Sequence, residues 1–315
     1  MKHYKQNNQI KIAYSEEYVA KLPAGHKFPI MKYKMIPEKL LSEGIITKKN
    51  IFTPNAAPPE IVELTHAKEY VKKVIERKLT EQEIRRIGFP LTDEFVKREF
   101  IILQGTINAA LWASENMISF NCAGGTHHAF SGKGAAFCIF NDVAVAANYL
   151  LSQKIKHKIL IIDLDVHQGN GTASIFKNNK SVFTFSIHCA KSWPPKKEIS
   201  DLDIELEPGT DDNEYLETLD KNLSGIIKDF NPDFAFFIAG ADVIKSDKWG
   251  GFNLSVNGTA LRDRMVFQQC LSGKIPVAVT MGGGYSQDIN IITEVHCNTF
   301  KEGIKLLKNN CVRLT

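Results

Sequence analysis

The sequence predicts a single α/β domain over residues 1–315, a central parallel sheet with helices on both faces and the active site at the strand carboxyl ends. Three observations carry this reading. The apolar runs ISFNCA, KILIIDLDV, SVFTFSI, FAFFIAG and IPVAVTM lack polar alternation, as strands covered on both faces do. Helix-like stretches separate them, at 141–153, 171–178, 212–230, 258–272 and 287–308. No internal repeat and no Gly/Ser linker divides the chain. With 43% hydrophobic and 23% charged residues, the composition is that of a soluble globular protein and excludes a disordered or collagenous one.

In chain order, the first hundred residues are rich in charge and loop signals, such as TPNAAPPE at 53–60, and are expected to pack onto the sheet. Val62, Leu64, Ala67, Val71, Val74 and Ile75 recur near helical spacing, which predicts a helix over 60–79. Thr92 is placed to cap a second helix over 93–115, with acids in its first turn. Beyond residue 118 strands and helices alternate, and each strand runs into a polar motif. The first is followed by GGTHH, the second by DVHQGNG, the third by His188 and the loop through Trp193, the fourth by GAD and the fifth by GGGY. Parallel strands share one carboxyl edge, where open α/β folds place their ligands, so His, Asp, Tyr and Gly converge on one crevice.

Lys and Arg total 39 against 35 Asp and Glu, a formal charge of +4 too dispersed for a nucleic-acid footprint. The six cysteines (122, 138, 189, 270, 297 and 311) fall singly, without a CxxC pair, and read as reduced thiols. MKHYKQNNQIKIAYS lacks the apolar core of a signal peptide. The uncharged stretch Ile101–Ser114 is too short to span a membrane. A cytoplasmic setting is expected.

Asp163, Asp165 and His167 are two apart, and a continuing strand would point all three to one side. Two acids and an imidazole at the edge of an apolar strand need a cation or strong hydrogen-bond donors; a salt-bridged strand-end cap is the alternative. Asp242 could supply a third oxygen ligand. Two carboxylates and one imidazole with an open position suit a catalytic zinc, or iron(II), better than a structural ion. His127 and His128 follow Gly124 and Gly125 and would carry protons beside that ion, unless they are unrelated surface residues. Tyr285 follows three glycines. GGGY lacks the GK[ST] of a phosphate loop, but a phenol there could donate to a developing oxyanion. Cys138 and His188 read as buried structural residues.

GGTHHAF, FCIFNDVAVA, IDLDVHQGNGT, AGADVI and MGGGY, in this order, resemble the zinc-dependent histone deacetylases of the arginase/deacetylase superfamily. GHKFPIMKY at 25–33, HAKEY at 66–70 and RIGFP at 86–90 resemble early segments of the bacterial deacetylase-like branch, and HQGNGT the class IV type. The resemblance spans nearly the whole chain. It implies a sheet of about eight strands and hydrolysis of the acyl-lysine amide in proteins or peptides by metal-activated water. By position, Asp165, His167 and Asp242 would bind zinc. His128 would be general base and then acid, with Asn170 behind it; His127 would assist electrostatically, held by Asp163; Tyr285 would polarise the carbonyl. Phe137 and Trp193 would flank the acyl-lysine tunnel, with Trp249 at its rim and Gly283 in the substrate site. A structural potassium ion would take Asp163, Asp165, His167, Ser186 and Ile187.

Asn170 stands where class I members carry Asp, so His128 should be less basic; class II and IV members share this Asn. Ala136 replaces a usual Gly and should restrict the backbone before the tunnel Phe. Trp193 and Trp249 replace smaller rim residues and could favour a flat or apolar substrate portion. Three alternatives stand beside the deacylase. An acetylpolyamine amidohydrolase would call for an acid at the tunnel mouth. A two-manganese ureohydrolase would need bridging acids where Gln168, Gly169, Val243 and Ile244 stand. A non-catalytic acyl-lysine binder would be expected to lack Tyr285 or His128.

Overall fold

The computed structural model describes residues 10–312, with side chains through residue 309. The MKHYKQNNQ segment and the Cys311 side chain lie outside the described residues. In chain order the elements are β1 (Ile12–Ala13), α1 (Lys32–Ser42), β2 (Ile51–Phe52), α2 (Pro59–Val62), α3 (Lys68–Ile75), α4 (Glu81–Ile87), α5 (Asp93–Asn116) and β3 (Ile118–Asn121). There follow α6 (Asp142–Ser152), β4 (Ile159–Asp163), α7 (Asn170–Phe176), β5 (Val182–Cys189), β6 (Leu202–Leu206), α8 (Asp212–Phe230), β7 (Phe234–Ala239), α9 (Val256–Ser272), β8 (Val277–Met281) and α10 (Ile289–Val312).

The strands form one eight-stranded sheet in the order β2-β1-β3-β8-β7-β4-β5-β6, and every pairing is parallel. Strands β3, β4, β7 and β8 are buried throughout, which is why their sequences read as unbroken apolar runs. The helices pack in two groups. One joins α5 to α6, with α2 and α7 against α6; the other joins α10 to both α1 and α9, with α8 against α9. Strand β3 touches both α5 and α10, so the sheet is sandwiched between the groups.

Five sequence-predicted strands and the helices after residue 92 appear with shifts of a few residues at their ends. The helix predicted over 60–79 does not form as one piece. Its chain breaks between α2 and α3 around His66, whose Nδ1 lies 3.0 Å from the Phe130 carbonyl and whose Nε2 accepts from the Asn141 N–H at 2.9 Å. Pinning a buried imidazole between three chain segments outweighs the helical periodicity there. The first hundred residues do more than cover the sheet, since β1 and β2 extend its edge beyond β3.

Candidate active site

Strand β4 ends at Asp163, and the chain turns instead of continuing as a strand. The Asp165 N–H donates to Asp163 Oδ1 (3.2 Å) and the His167 N–H to Asp165 Oδ1 (2.9 Å). Successive side-chain-to-backbone turns, not strand alternation, therefore aim Asp165 and His167 into the crevice. The Val166 N–H donates to Asp242 Oδ1 at 3.0 Å, which ties the end of β4 to the end of β7.

His167 Nδ1 lies 3.1 Å from Asp165 Oδ1 and 3.3 Å from Asp242 Oδ2, and ligand atoms of all three residues fall within 4.8 Å of one another. All three side chains are buried. Four features test whether this set suits a cation. Asp242 Oδ2 is buried without a hydrogen-bond partner. His167 Nε2 sits 3.1 Å from the Trp249 carbonyl, which can only accept, so a cation taking the place of the proton between Nδ1 and the two carboxylates would leave the ring proton held on Nε2. Burial, and then the Asp165 charge, push the Asp242 carboxyl up to about 7, so its anion would gain from a cation placed beside it. Finally, a Cβ on Gly283 would come within 1.9 Å of Asp242 Oδ2, so only glycine leaves room beside the carboxylates. The residues fit a divalent ion held by two carboxylates and one imidazole.

His127 and His128 leave β3 through Gly124 (φ 86°) and Gly125 (φ 70°). Their left-handed conformation is one that glycine adopts without strain, and a Cβ on Gly125 would strike the Met281 carbonyl at 2.7 Å. His127 Nδ1 is 2.7 Å from Asp163 Oδ2, and His128 Nδ1 is 2.9 Å from Asn170 Oδ1. Burial alone would lower the His127 pKa, but the Asp163 and Asp165 charges outweigh it and raise it to about 9. Burial and the neighbouring His127 and His167 push His128 well below its ordinary value. One ring is thus held charged and its neighbour neutral. The Tyr285 N–H donates to Asp247 Oδ2 at 2.5 Å, fixing the turn that follows β8. Burial, then the Asp165 and Asp242 charges, keep the phenol protonated far above neutral pH.

A cavity of about 730 Å³ opens above these groups, lined by His128, Phe137, His167, Trp193, Trp249 and Tyr285 among others. Phe137 stacks on Trp249 with centroids 6.0 Å apart and planes at 17°. Trp193 meets the His128 ring edge-on at 4.5 Å. Ala136 (φ 44°) and Phe137 (φ 64°) both take left-handed backbone conformations, so the missing Gly does restrict the chain there. Their N–H groups donate to the Arg86 (2.9 Å) and Ile87 (2.6 Å) carbonyls, which hold the strained turn in place. Ala136→Gly should relieve this strain and raise stability by about 1 kcal/mol, read from the denaturant midpoint.

Gly283 sits below, with its N–H on Asp165 Oδ2 (2.6 Å). The β4–β5 register sets Asp163 beside Ser186, with Ile187 next along β5. Ser186 Oγ lies 2.9 Å from His188 Nδ1, which gives that buried histidine its place in the strand. Cys138 is likewise buried, its thiol 3.4 Å from the Ala136 carbonyl.

Three residues that sequence reasoning passed over complete the site. Asp247 accepts from the Trp249 and Tyr285 N–H groups. Lys32, on α1, is buried and donates to the Gly282 carbonyl at 2.9 Å; burial lowers its pKa to about 8. Arg262, on α9, is fully buried and donates to the carbonyls of Leu164 (3.1 Å) and Gly240 (2.7 Å).

The family model described as "Histone deacetylase domain" matches residues 26–300. The chain is 39% identical over 285 residues to an uncharacterised protein of Picosynechococcus sp., covering 90% of this chain and 95% of the relative. It is 26% identical to histone deacetylase 2 of Arabidopsis thaliana over 94% of this chain and 80% of that one. Against the acetoin utilization protein AcuC of Staphylococcus xylosus it is 28% identical, over 69% and 62%. The crystal structure of the HDA15 HD domain shares the fold, with a TM-score of 0.81 at 20% identity across 94% of this chain and 88% of that one. Fold, site and relatives together define a hydrolase built on a single α/β domain. The chain belongs to the histone deacetylase family. Among the described residues no helix is long and apolar enough to cross a membrane.

Proposed function

We propose that this chain, acting as one catalytic domain over residues 1–315, hydrolyses the amide of N-ε-acyl-lysine. The observation that carries the reading is the buried Asp165–His167–Asp242 set, with its unpartnered Asp242 oxygen, at the floor of an aromatic-walled cavity beside His128 and Tyr285. Zinc, or iron(II), held by these three residues would supply Lewis-acid polarisation of the carbonyl and lower the pKa of a water molecule. His128, kept neutral by its surroundings, takes the proton of the attacking water and delivers it to the departing lysine amine. His127, kept charged by Asp163, stabilises negative charge next to that transfer. Tyr285 donates to the carbonyl oxygen as it becomes an oxyanion. Phe137, Trp193 and Trp249 enclose the aliphatic side chain, and Gly283 leaves room for the acyl end. Asp163, Asp165, His167, Ser186 and Ile187 are assigned to a structural potassium ion. Asn170 and the HQGNGT segment favour a class IV type. The five described cysteines are free and buried, in keeping with a reducing cytoplasm.

The test is hydrolysis of lysine peptides bearing acetyl through myristoyl groups by zinc-loaded protein, with acetylpolyamines alongside. Release of lysine from the peptides is the expected result; turnover confined to acetylpolyamines, or none at all, overturns the reading. Stripping the protein with a chelator should abolish turnover and lower the melting temperature, and added zinc should restore both.

A further inference from the structure

The entrance to the cavity is basic. Lys191 and Lys248 line the main cavity, and a second groove of about 430 Å³ is lined by His26, Lys27 and again Lys248. The two meet at Lys248, Trp249 and Tyr285, so a chain crossing the mouth passes over the Trp249 indole from one to the other. Lys27 and Lys248 are exposed and make no ion pair among the described residues. Lys191 is shared with Glu207 at 3.2 Å, with both side chains largely in solvent.

Three carboxylates stand near these lysines: Glu207, paired with Lys191; Asp288, exposed between two residues of the second groove, with its Oδ1 accepting from Asn290; and Asp247. Among the described residues, the carboxylate that lines either space is Asp247, and both of its oxygens are taken. Oδ1 accepts from the Trp249 N–H (2.9 Å) and Oδ2 from the Tyr285 N–H (2.5 Å). The Lys197 ammonium is also committed, to the Ser192 (2.6 Å) and Pro194 (2.8 Å) carbonyls of the loop that carries Trp193.

We propose that this site selects acyl-lysine carried on acidic peptide segments, and discriminates against basic segments and polyamines. This rests on the acyl-lysine reading given above. The acylated side chain is neutral, so charge selection falls on the residues flanking it, which must cross the lysine-bearing rim. An acidic flank gains two or three exposed ion pairs there, whereas a basic flank meets like charge inside a Debye length of about 8 Å. The exposed indoles of Trp193 and Trp249 offer a flat bed for the backbone between those contacts.

The experiment compares kcat/KM for three acyl-lysine peptides of equal length, with acidic, neutral or basic flanks, at low and physiological salt. Zinc-loaded wild type is measured beside the Lys27→Glu/Lys248→Glu double variant. Within each protein the neutral peptide is the reference, so only ratios are read. Wild type should prefer the acidic over the basic peptide by roughly 10-fold at low salt, and less as salt screens the rim. In the double variant the order should reverse. Equal turnover of the three peptides, a preference for the basic one, or a ratio that the double variant leaves unmoved overturns the proposal. Failure to hydrolyse any of the three instead removes the acyl-lysine reading, and the charge preference with it.

Discussion

Tyr285→Phe is expected to lower kcat on acyl-lysine peptides by about 100-fold or more, with KM changed little, because an oxyanion donor acts in the transition state and not in substrate binding. The substitution removes one oxygen and leaves the packing intact. The ring still lies 4.6 Å from Trp249 and 6.0 Å from Phe137, and its turn is held through the backbone by Asp247. Asp165, His167 and Asp242 are untouched, so metal content should match wild type. The half-buried phenol stays protonated, through desolvation and then the Asp165 and Asp242 charges, which is the state a hydrogen-bond donor needs. Steady-state kinetics with metal analysis on the same sample checks the prediction; an unchanged kcat would remove Tyr285 from the chemistry.

What the sequence showed, and what it concealed, follows from where each residue finds its partners. The central strands were legible because both of their faces are covered, leaving no polar position to interrupt the apolar run. Strand β6 was not: its Leu202–Leu206 segment at the sheet edge is mostly half-buried and mixes apolar with acidic residues. The two-residue strands β1 and β2 are too short to show any period. In α1, Pro37 sits mid-helix and breaks the pattern, although the flanking Tyr33, Ile36 and Leu40 are buried on one side. The metal-ligand candidates stood out because their types and spacing carry the chemistry within a few residues. Asp247, Lys32 and Arg262 carried no such mark. Lys32 binds a carbonyl 250 residues away in the chain, and Arg262 one 98 residues away, so their roles exist only in the folded protein.

Arg262→Met is expected to cost about 3–5 kcal/mol of stability, because it strips the partner from a buried carboxylate. Arg262 Nε donates to Asp263 Oδ1 at 2.8 Å, and the Thr299 hydroxyl of α10 donates to Asp263 Oδ2 at 2.7 Å. Burial already pushes the Asp263 carboxyl up with the guanidinium in place. The arginine has a second task. Its carbonyl acceptors, Leu164 and Gly240, lie one residue before Asp165 and two before Asp242, so a single guanidinium braces both segments that present the metal-ligand candidates. These two tasks separate in a second variant. Replacing the pair together, Arg262→Met with Asp263→Leu, removes the orphaned charge and should recover most of the stability, as apolar replacements of buried ion pairs do. It cannot restore the brace, so zinc affinity measured by chelator competition should stay about 10-fold or more below wild type in both variants. Stability losses under about 1 kcal/mol in the single variant, or wild-type zinc affinity in the folded double variant, would assign Arg262 to ordinary core packing.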